Sequence, residues 1–347
     1  MTRPTQTRCW VLSHKPTTNG DKTTFTQTTM DIPSKLTSNE ILVKTLFLSN
    51  DPSQQIWIAA NGPPREQGMR PVEIYDVMIS RGIGEVIESG SDAYQKGEHV
   101  VGPCGWSEYA VLPVRSIVNL FRSPVMGLSK THYLGGLGLP AITAYIGLTD
   151  TASAKKGERV VVSGAAGAIG SMAVQIAKHI VRASHIIGIA GSEENCRWVE
   201  KLGADICLSS KSSSFALDLK EATKDGVDVY FENAGEEILD NMLGVISDEG
   251  RITVCGCLRG YNGEDPPPLR NWHNVISREI LIKGLVLDHY IESFPKEIRH
   301  FYQAIADGKI RLEESETIIE GQFEDIPKIW LKVFQEEHRG NLVTSLQ

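Results

Sequence analysis

The chain predicts an α/β fold, a doubly wound parallel sheet preceded by an antiparallel β region, on three observations. From about residue 155, apolar segments alternate with amphipathic ones at roughly regular spacing. The stretch VVVSGAAGAIGSMAVQIAKH, 160–179, sets three glycines at intervals of three between a valine run and a helical pattern. Before about residue 120, apolar runs are short and punctuated by Gly, Pro and Asn.

In the first region EILVKTLFLS (40–49) and GEHVVG (97–102) read as strands. In the second, RVVVSG (159–164), HIIGIA (185–190), DICLSS (205–210), VDVYFENAG (227–235), RITVCG (251–256) and EILIKGLVL (279–287) do so. Between several of these lie SMAVQIAKH (171–179), SEENCRWVEKLG (192–203) and EEILDNMLGVISDEG (236–250), with helical spacing. A strand without a polar side is buried on both faces, and its crossover must be a helix; the sheet is therefore parallel. PPP at 266–268 reads as a loop. Two helical stretches, FPKEIRHFYQAIADGKI (294–310) and DIPKIWLKVFQEEHRG (325–340), precede a short tail that is expected to return to the first domain.

The 347 residues suggest about two domains. A net charge of -8, with no basic patch, argues against nucleic acid or an anionic membrane as partner. The start MTRPTQTRCW lacks the apolar core of a signal peptide, and no apolar run approaches the ~18 residues of a membrane span. A cytoplasmic protein is expected. Six cysteines are scattered without a C-x-x-C pair, which suits reduced structural thiols. Cys255 and Cys257 share one face of a strand, and burial explains them better than metal.

Each glycine of the triplet has a separate task. Gly164 permits a tight turn, Gly167 lets the backbone approach a ligand, and Gly170 allows close packing of helix on strand. The helix then presents bare N–H groups to a pyrophosphate. A plain turn is the alternative; the strand-to-helix context favours a dinucleotide. At the end of the second strand, Ala190, Gly191 and Ser192 stand where an acidic residue would meet unphosphorylated ribose, leaving room for a 2′-phosphate. Glu193 and Glu194 follow as first-turn helix residues. Other chemistries fit poorly: Ser163 lacks the preceding glycine of a nucleophile elbow, and no H-E-x-x-H occurs.

Together GLGLPAITAYIGL (136–148), the glycine stretch, FENAG (231–235) and VCGCLRGYN (254–262) make the chain resemble, over nearly its full length, a zinc-free medium-chain dehydrogenase/reductase of the prostaglandin reductase / leukotriene B4 12-hydroxydehydrogenase group. The resemblance implies a GroES-like β domain (1–125, completed by 295–347) plus a Rossmann domain (126–294). Zinc-dependent relatives carry G-H-E where this chain has Arg81-Gly82-Ile83-Gly84-Glu85, so no metal is implied. The implied reaction is NADPH-dependent hydride transfer to the β-carbon of a small-molecule enone or enal, with charge developing on the carbonyl oxygen.

The resemblance makes Tyr261 the catalytic candidate, and Asn233 a residue near the cofactor. Ala166, Gly167, Ala168, Ile169, Gly170, Ser192, Cys255 and Gly256 would line the dinucleotide. Asn195 and Ser210 occupy places where the family has a lysine and a tyrosine against the 2′-phosphate, and Arg197 or Arg182 is the expected substitute. His338 aligns with an asparagine near nicotinamide; Asp51-Pro52-Ser53-Gln54-Gln55 replaces D-P-Y-M-R, and a substrate-side tyrosine falls at Gly68. Two readings follow: a reductase whose pocket is recut for a bulkier or less polar enone, as in a specialised biosynthetic pathway, or the same fold without net redox turnover, as an isomerase, cyclase or nucleotide-binding regulator. A homodimer is implied through an edge strand of the Rossmann sheet; EILIKGLVL is either that edge or an internal strand.

Overall fold

The computed structural model describes residues 3–17, 20–21, 23–60, 71–117, 119–121, 128–256, 268–290, 301–335 and 337–347. The first region contains β1 (Gln6–Leu12), β2 (Phe25–Asp31), β3 (Glu40–Asn50), β4 (Gly82–Ser89), β5 (His99–Gly102), β6 (Tyr109–Pro113) and β7 (Asn119–Phe121), with α1 (Gln54–Ile58) after β3. Next comes α2 (Leu139–Ile146), then β8 (Arg159–Val162), α3 (Ala168–Ile176), β9 (His185–Ala190), α4 (Glu193–Leu202) and β10 (Ile206–Ser209). The series continues with α5 (Phe215–Ala222), β11 (Val229–Glu232), α6 (Glu236–Val245), β12 (Arg251–Val254), α7 (Asn274–Ser277) and β13 (Leu281–Gly284). Strands β14 (Glu316–Glu320) and β15 (Asn341–Ser345) close the chain.

Six strands in the order β10-β9-β8-β11-β12-β13 form a wholly parallel sheet. The chain winds outward from β8 through β9 to β10, then restarts beside β8 at β11. That reversal leaves a crevice at the carboxyl ends of β8 and β11, where ligands of such sheets bind. Alternation along β8 explains the valine run: Val160 and Val162 pack with Met172 and Ile176 of α3, whereas Val161 joins Leu219 of α5 and Met242 of α6. Each such fully buried side chain contributes ~1.5–3 kcal/mol.

A second large sheet runs β14-β15-β3-β4-β5-β7, with β6 also on β3, while β1 and β2 pair with each other in a small sheet of their own. Strand β15 lies antiparallel to β3, placing Leu342 opposite Asn50. The expected return of the tail is thus a strand insertion. Trp330, in the helix Ile326–Leu331, reinforces it by packing on Phe25 and Trp106 at ring centroid distances of 5.7 and 5.8 Å. Phe301 and Ile305 instead join the apolar cluster around α3, which also takes in Phe47, Ile83 and Val101 from β3, β4 and β5. Apolar contact therefore joins the two sheets.

Among the described residues β13 is the last strand of the parallel sheet, so EILIKGLVL lies at its edge and not inside it. No helix among the described residues is long and apolar enough to cross a membrane.

Candidate active site

The bend between β8 and α3 is made of main chain. Gly164 has φ +57°, a left-handed conformation that other residues rarely adopt. A Cβ on Gly170 would lie 2.2 Å from the Gly164 carbonyl oxygen, so only glycine lets the helix sit against the strand end. Gly167 caps α3 in an extended conformation with no side-chain cap. A Cβ there would meet nothing nearer than the Gly164 oxygen at 3.3 Å, so the outer side of the bend is open. Ser171 N donates to Gly167 O at 3.0 Å, and the amides of Ala168, Ile169 and Gly170 precede that bond at the positive end of the helix.

A buried network fixes the bend from below. Glu232, at the end of β11, is 1 % exposed. Its Oε1 accepts from Gly235 N at 2.7 Å, from Ser163 Oγ at 3.0 Å and from Ala234 N, and its Oε2 is bonded to the Tyr230 hydroxyl. Burial pushes the Glu232 carboxyl above its ordinary range despite these bonds, and pushes the Tyr230 phenol well up. Asn233 then donates from N to Ser163 Oγ at 2.8 Å and from Nδ2 to Ser163 O at 2.7 Å. The serine before the glycines and the asparagine of FENAG are thereby locked together.

Above the bend lies a cavity of about 330 Å³, enclosed on its far side by β3, the turn before α1, and β15. It is lined by Ala166, Gly167, Ala168, Ile169, Gly170, Asn195, Ser210, Asn233, Cys255, Gly256 and His338, all singled out in the sequence. Ser192 stands just outside. It caps α4, accepting from Asn195 N at 3.2 Å, and lines an adjoining polar pocket of about 420 Å³. Glu193 and Glu194 lie in the first turn of α4, as expected. Tyr261, Gly68 and Cys257 lie outside the described residues.

The expected substitute cations are elsewhere. Arg197 is exposed on α4 and lines neither pocket; Arg182 follows the helical turn after α3, where its carbonyl accepts from Gly157 N at 3.0 Å. The cations beside Ser192 are Lys211 and Arg339. Sequence reasoning missed both, although each directly follows a residue it had singled out, Ser210 and His338.

The far wall is built from side chains. Gly340 N donates to Ala166 O at 2.8 Å, which ties the carboxy-terminal segment to the glycine bend. Gly340 has φ +62°, and a Cβ there would lie 1.9 Å from Ser315 O. Next to it Asn341 is 4 % exposed; its Oδ1 accepts from Ser49 Oγ at 3.2 Å, while its Nδ2 has no partner among the described residues. Asn50 donates through Nδ2 to Leu342 O at 3.2 Å and Thr344 Oγ1 at 3.0 Å, leaving its Oδ1 without one. Gln54 and Gln55 turn inward, to Ile79 O at 2.7 Å and from Gly20 N at 3.0 Å, so that Asp51, Pro52 and Ser53 face the cavity. Burial, with the charges of Asp51 and Glu232, pushes the Cys255 thiol up to about 12.

These features suit a dinucleotide. The open bend and the uncapped helix end offer a diphosphate grip, while the two orphaned amide atoms of the far wall are left to hydrogen-bond a second molecule beside it. Among the described residues, no group of three or more His, Cys, Asp or Glu side chains could hold a metal ion.

Comparison with known proteins agrees. A family model described as a zinc-binding dehydrogenase matches residues 168–303, and one described as an N-terminal domain of oxidoreductase matches residues 8–120. The chain is 31% identical to prostaglandin reductase 1 of Bos taurus over 94% of each chain. It is 30% identical to the NADPH-dependent curcumin reductase of Escherichia coli over 97% of this chain and 96% of that one. A Saccharomyces cerevisiae protein named as an uncharacterized membrane protein is 28% identical over 97% of each chain. The crystal structure of CurA in complex with NADPH from Vibrio vulnificus matches with a TM-score of 0.88 and 28% identity, covering 98% of this chain and 99% of that one. With at least 30% identity to such reductases over more than nine-tenths of its length, the chain belongs to the prostaglandin reductase-like group of the medium-chain dehydrogenase/reductases.

Proposed function

We propose that the protein is an NADPH-dependent reductase of the carbon–carbon double bond in α,β-unsaturated ketones or aldehydes. The observation that carries this reading is the glycine bend opening into a cavity at the junction of the two sheets. When bound, the nicotinamide supplies a hydride to the β-carbon of the substrate. The amides of Ala168 to Gly170 meet the diphosphate charge. Asn233, held through Ser163 and Glu232, keeps the bend in shape. Leu285, Leu287, Val333 and Leu342 give the cavity an apolar lining that favours a hydrocarbon substrate. The charge that develops on the carbonyl oxygen needs a donor. Tyr261 is the one implied by the family resemblance, and the Asn341 amide is a second on the far wall.

The test is NADPH oxidation in the presence of a panel of enones and enals. Substrate-dependent oxidation is expected. Nucleotide binding without oxidation across the panel would refute the reductase reading in favour of a fold that does no net redox work.

The division into a GroES-like domain of 1–125 with 295–347 and a Rossmann domain of 126–294 is part of this proposal, supported by the pairing of β15 with β3. So is a homodimer formed across β13. Leu281 on that edge is 55 % exposed, Trp272 and Ile276 shortly before it in the chain are 50 % and 82 % exposed, and an apolar edge strand with no partner among the described residues invites another chain. Light scattering is expected to give twice the chain mass, and Leu281→Lys to halve it. A cytosolic location rests on the sequence alone; recovery in the membrane fraction after cell lysis would refute it.

A further inference from the structure

The family's lysine and tyrosine for the 2′-phosphate are replaced here by Asn195 and Ser210, yet a polar pocket opens at that point. It begins at Gly191 and Ser192, just past the end of β9, where the adenosine ribose of a dinucleotide is held in such folds. We propose that Arg339, with Lys211, forms the 2′-phosphate site of this protein, so that the carboxy-terminal segment of one sheet reads the cofactor gripped by the other. The inference rests on the dinucleotide reading above.

Arg339 is delivered by fixed backbone. Its N donates to Thr317 Oγ1 at 3.0 Å and its carbonyl accepts from that hydroxyl at 2.9 Å, so β14 holds it in place, and Gly340 turns the chain immediately afterwards. The guanidinium lies 5.9 Å from the centroid of the Trp198 ring, and Trp198 is itself held by its Nε1 donating to Glu314 Oε2 at 2.8 Å. Nε reaches Asn195 Oδ1 at 3.4 Å, and Nη2 meets Glu194 Oε1 at 2.6 Å. A guanidinium anchored on a ring, with further donors in a planar fork, suits phosphate.

Two carboxylates, Glu194 and Glu337, also line the pocket. Glu194 is 76 % exposed, so its pairing with Arg339 is screened by water and readily exchanged for a dianion. The same carboxylate suggests a rival arrangement, in which it accepts from an unphosphorylated ribose while Arg339 merely steadies it. The two arrangements differ in sign: Glu194 opposes NADPH in the first and supports NADH in the second.

The experiment measures dissociation constants for NADPH, NADH and 2′,5′-ADP by calorimetry, with no substrate and no turnover. Wild type is expected to bind NADPH and 2′,5′-ADP and to prefer NADPH over NADH. Arg339→Ala should weaken NADPH and 2′,5′-ADP at least about tenfold, the worth of one charge-assisted contact, and leave NADH within about twofold. Lys211→Ala should do the same to a smaller extent, and Arg339→Lys should restore part of the loss. Glu194→Gln should tighten NADPH, an outcome that a purely structural role for the pair does not give. Equal weakening of both dinucleotides by Arg339→Ala, unchanged NADPH affinity, or a wild-type preference for NADH would overturn the proposal. Absent enone turnover with these affinities intact would refute the reductase reading and leave this one standing.

Discussion

The two walls of the cavity are made by opposite means. On the α3 side, Gly164, Gly167 and Gly170 shape the site by lacking side chains, and the ligand is offered main-chain amides. On the β3 and β15 side the site consists of side chains, Asn50, Asp51 and Asn341, carried by strands from opposite ends of the sequence. The first wall suits the part of a cofactor that never varies; the second is free to change with the substrate. Damage to the bend should therefore remove binding, and damage to Asn50, Asp51 or Asn341 should act mainly on turnover.

The largest effect is expected from Gly170→Ala. Its Cβ would sit 2.2 Å from the Gly164 oxygen, so the bend must open. Overpacking of this kind costs about 1–3 kcal/mol or more, and NADPH affinity should fall at least about a hundredfold by calorimetry. Undiminished affinity would show that the grip lies elsewhere.

Glu232→Ala comes next, because it strips the acceptor from Ala234 N, Gly235 N, Ser163 and Tyr230 together. Each buried donor left unpaired costs about 1–3 kcal/mol, a loss that urea melts should register. The pH dependence has a definite sign. The Glu232 carboxyl is raised in the fold, so its protonation stabilises the native state. That contribution is full below the ordinary carboxylate value and is lost as pH rises through the raised one. Glu232→Gln cannot ionise and should flatten that slope; an unaltered slope would mean that the carboxyl titrates alike in the folded and the unfolded chain.

Smaller consequences belong to the far wall. Asn341→Asp keeps the shape but turns the unpartnered donor into an acceptor, and should lower kcat/KM about tenfold while NADPH affinity stays within about twofold. Equal losses in both would place Asn341 with the cofactor instead of the substrate. Smallest of all, Cys255 should resist iodoacetamide and enones at mildly alkaline pH, since a thiol near 12 is almost wholly protonated there. Rapid labelling of Cys255 in the folded protein, seen by mass spectrometry, would contradict so high a thiol value.

What the sequence disclosed follows the same division. The strands β8 to β13 were legible because each is an apolar run bounded by glycine or turn residues, and the bend because three glycines at fixed spacing have few other uses. Asn233 was legible only as part of a motif; its reason, two hydrogen bonds to Ser163 from seventy residues away, is a property of the packed sheet. Arg339 and Lys211 were not legible. Arg339 is placed by the insertion of β15 beside β3 and by the turn at Gly340, contacts across nearly the whole chain that leave no local pattern, and Lys211, just past β10, gains its meaning only when Arg339 arrives beside it. Arg197, closer in sequence, points away because the face of α4 that carries Cys196, Val199 and Leu202 must be buried.

The central claim, that the bend and the facing wall together bring a hydride donor to an enone, is tested most directly by isotope transfer. NADPH carrying deuterium at the transferable position is incubated with the protein and an enone, and the product is examined by NMR. Deuterium at the β-carbon of a saturated ketone is the expected result. Deuterium at the carbonyl carbon, or a product without the label, would contradict the account.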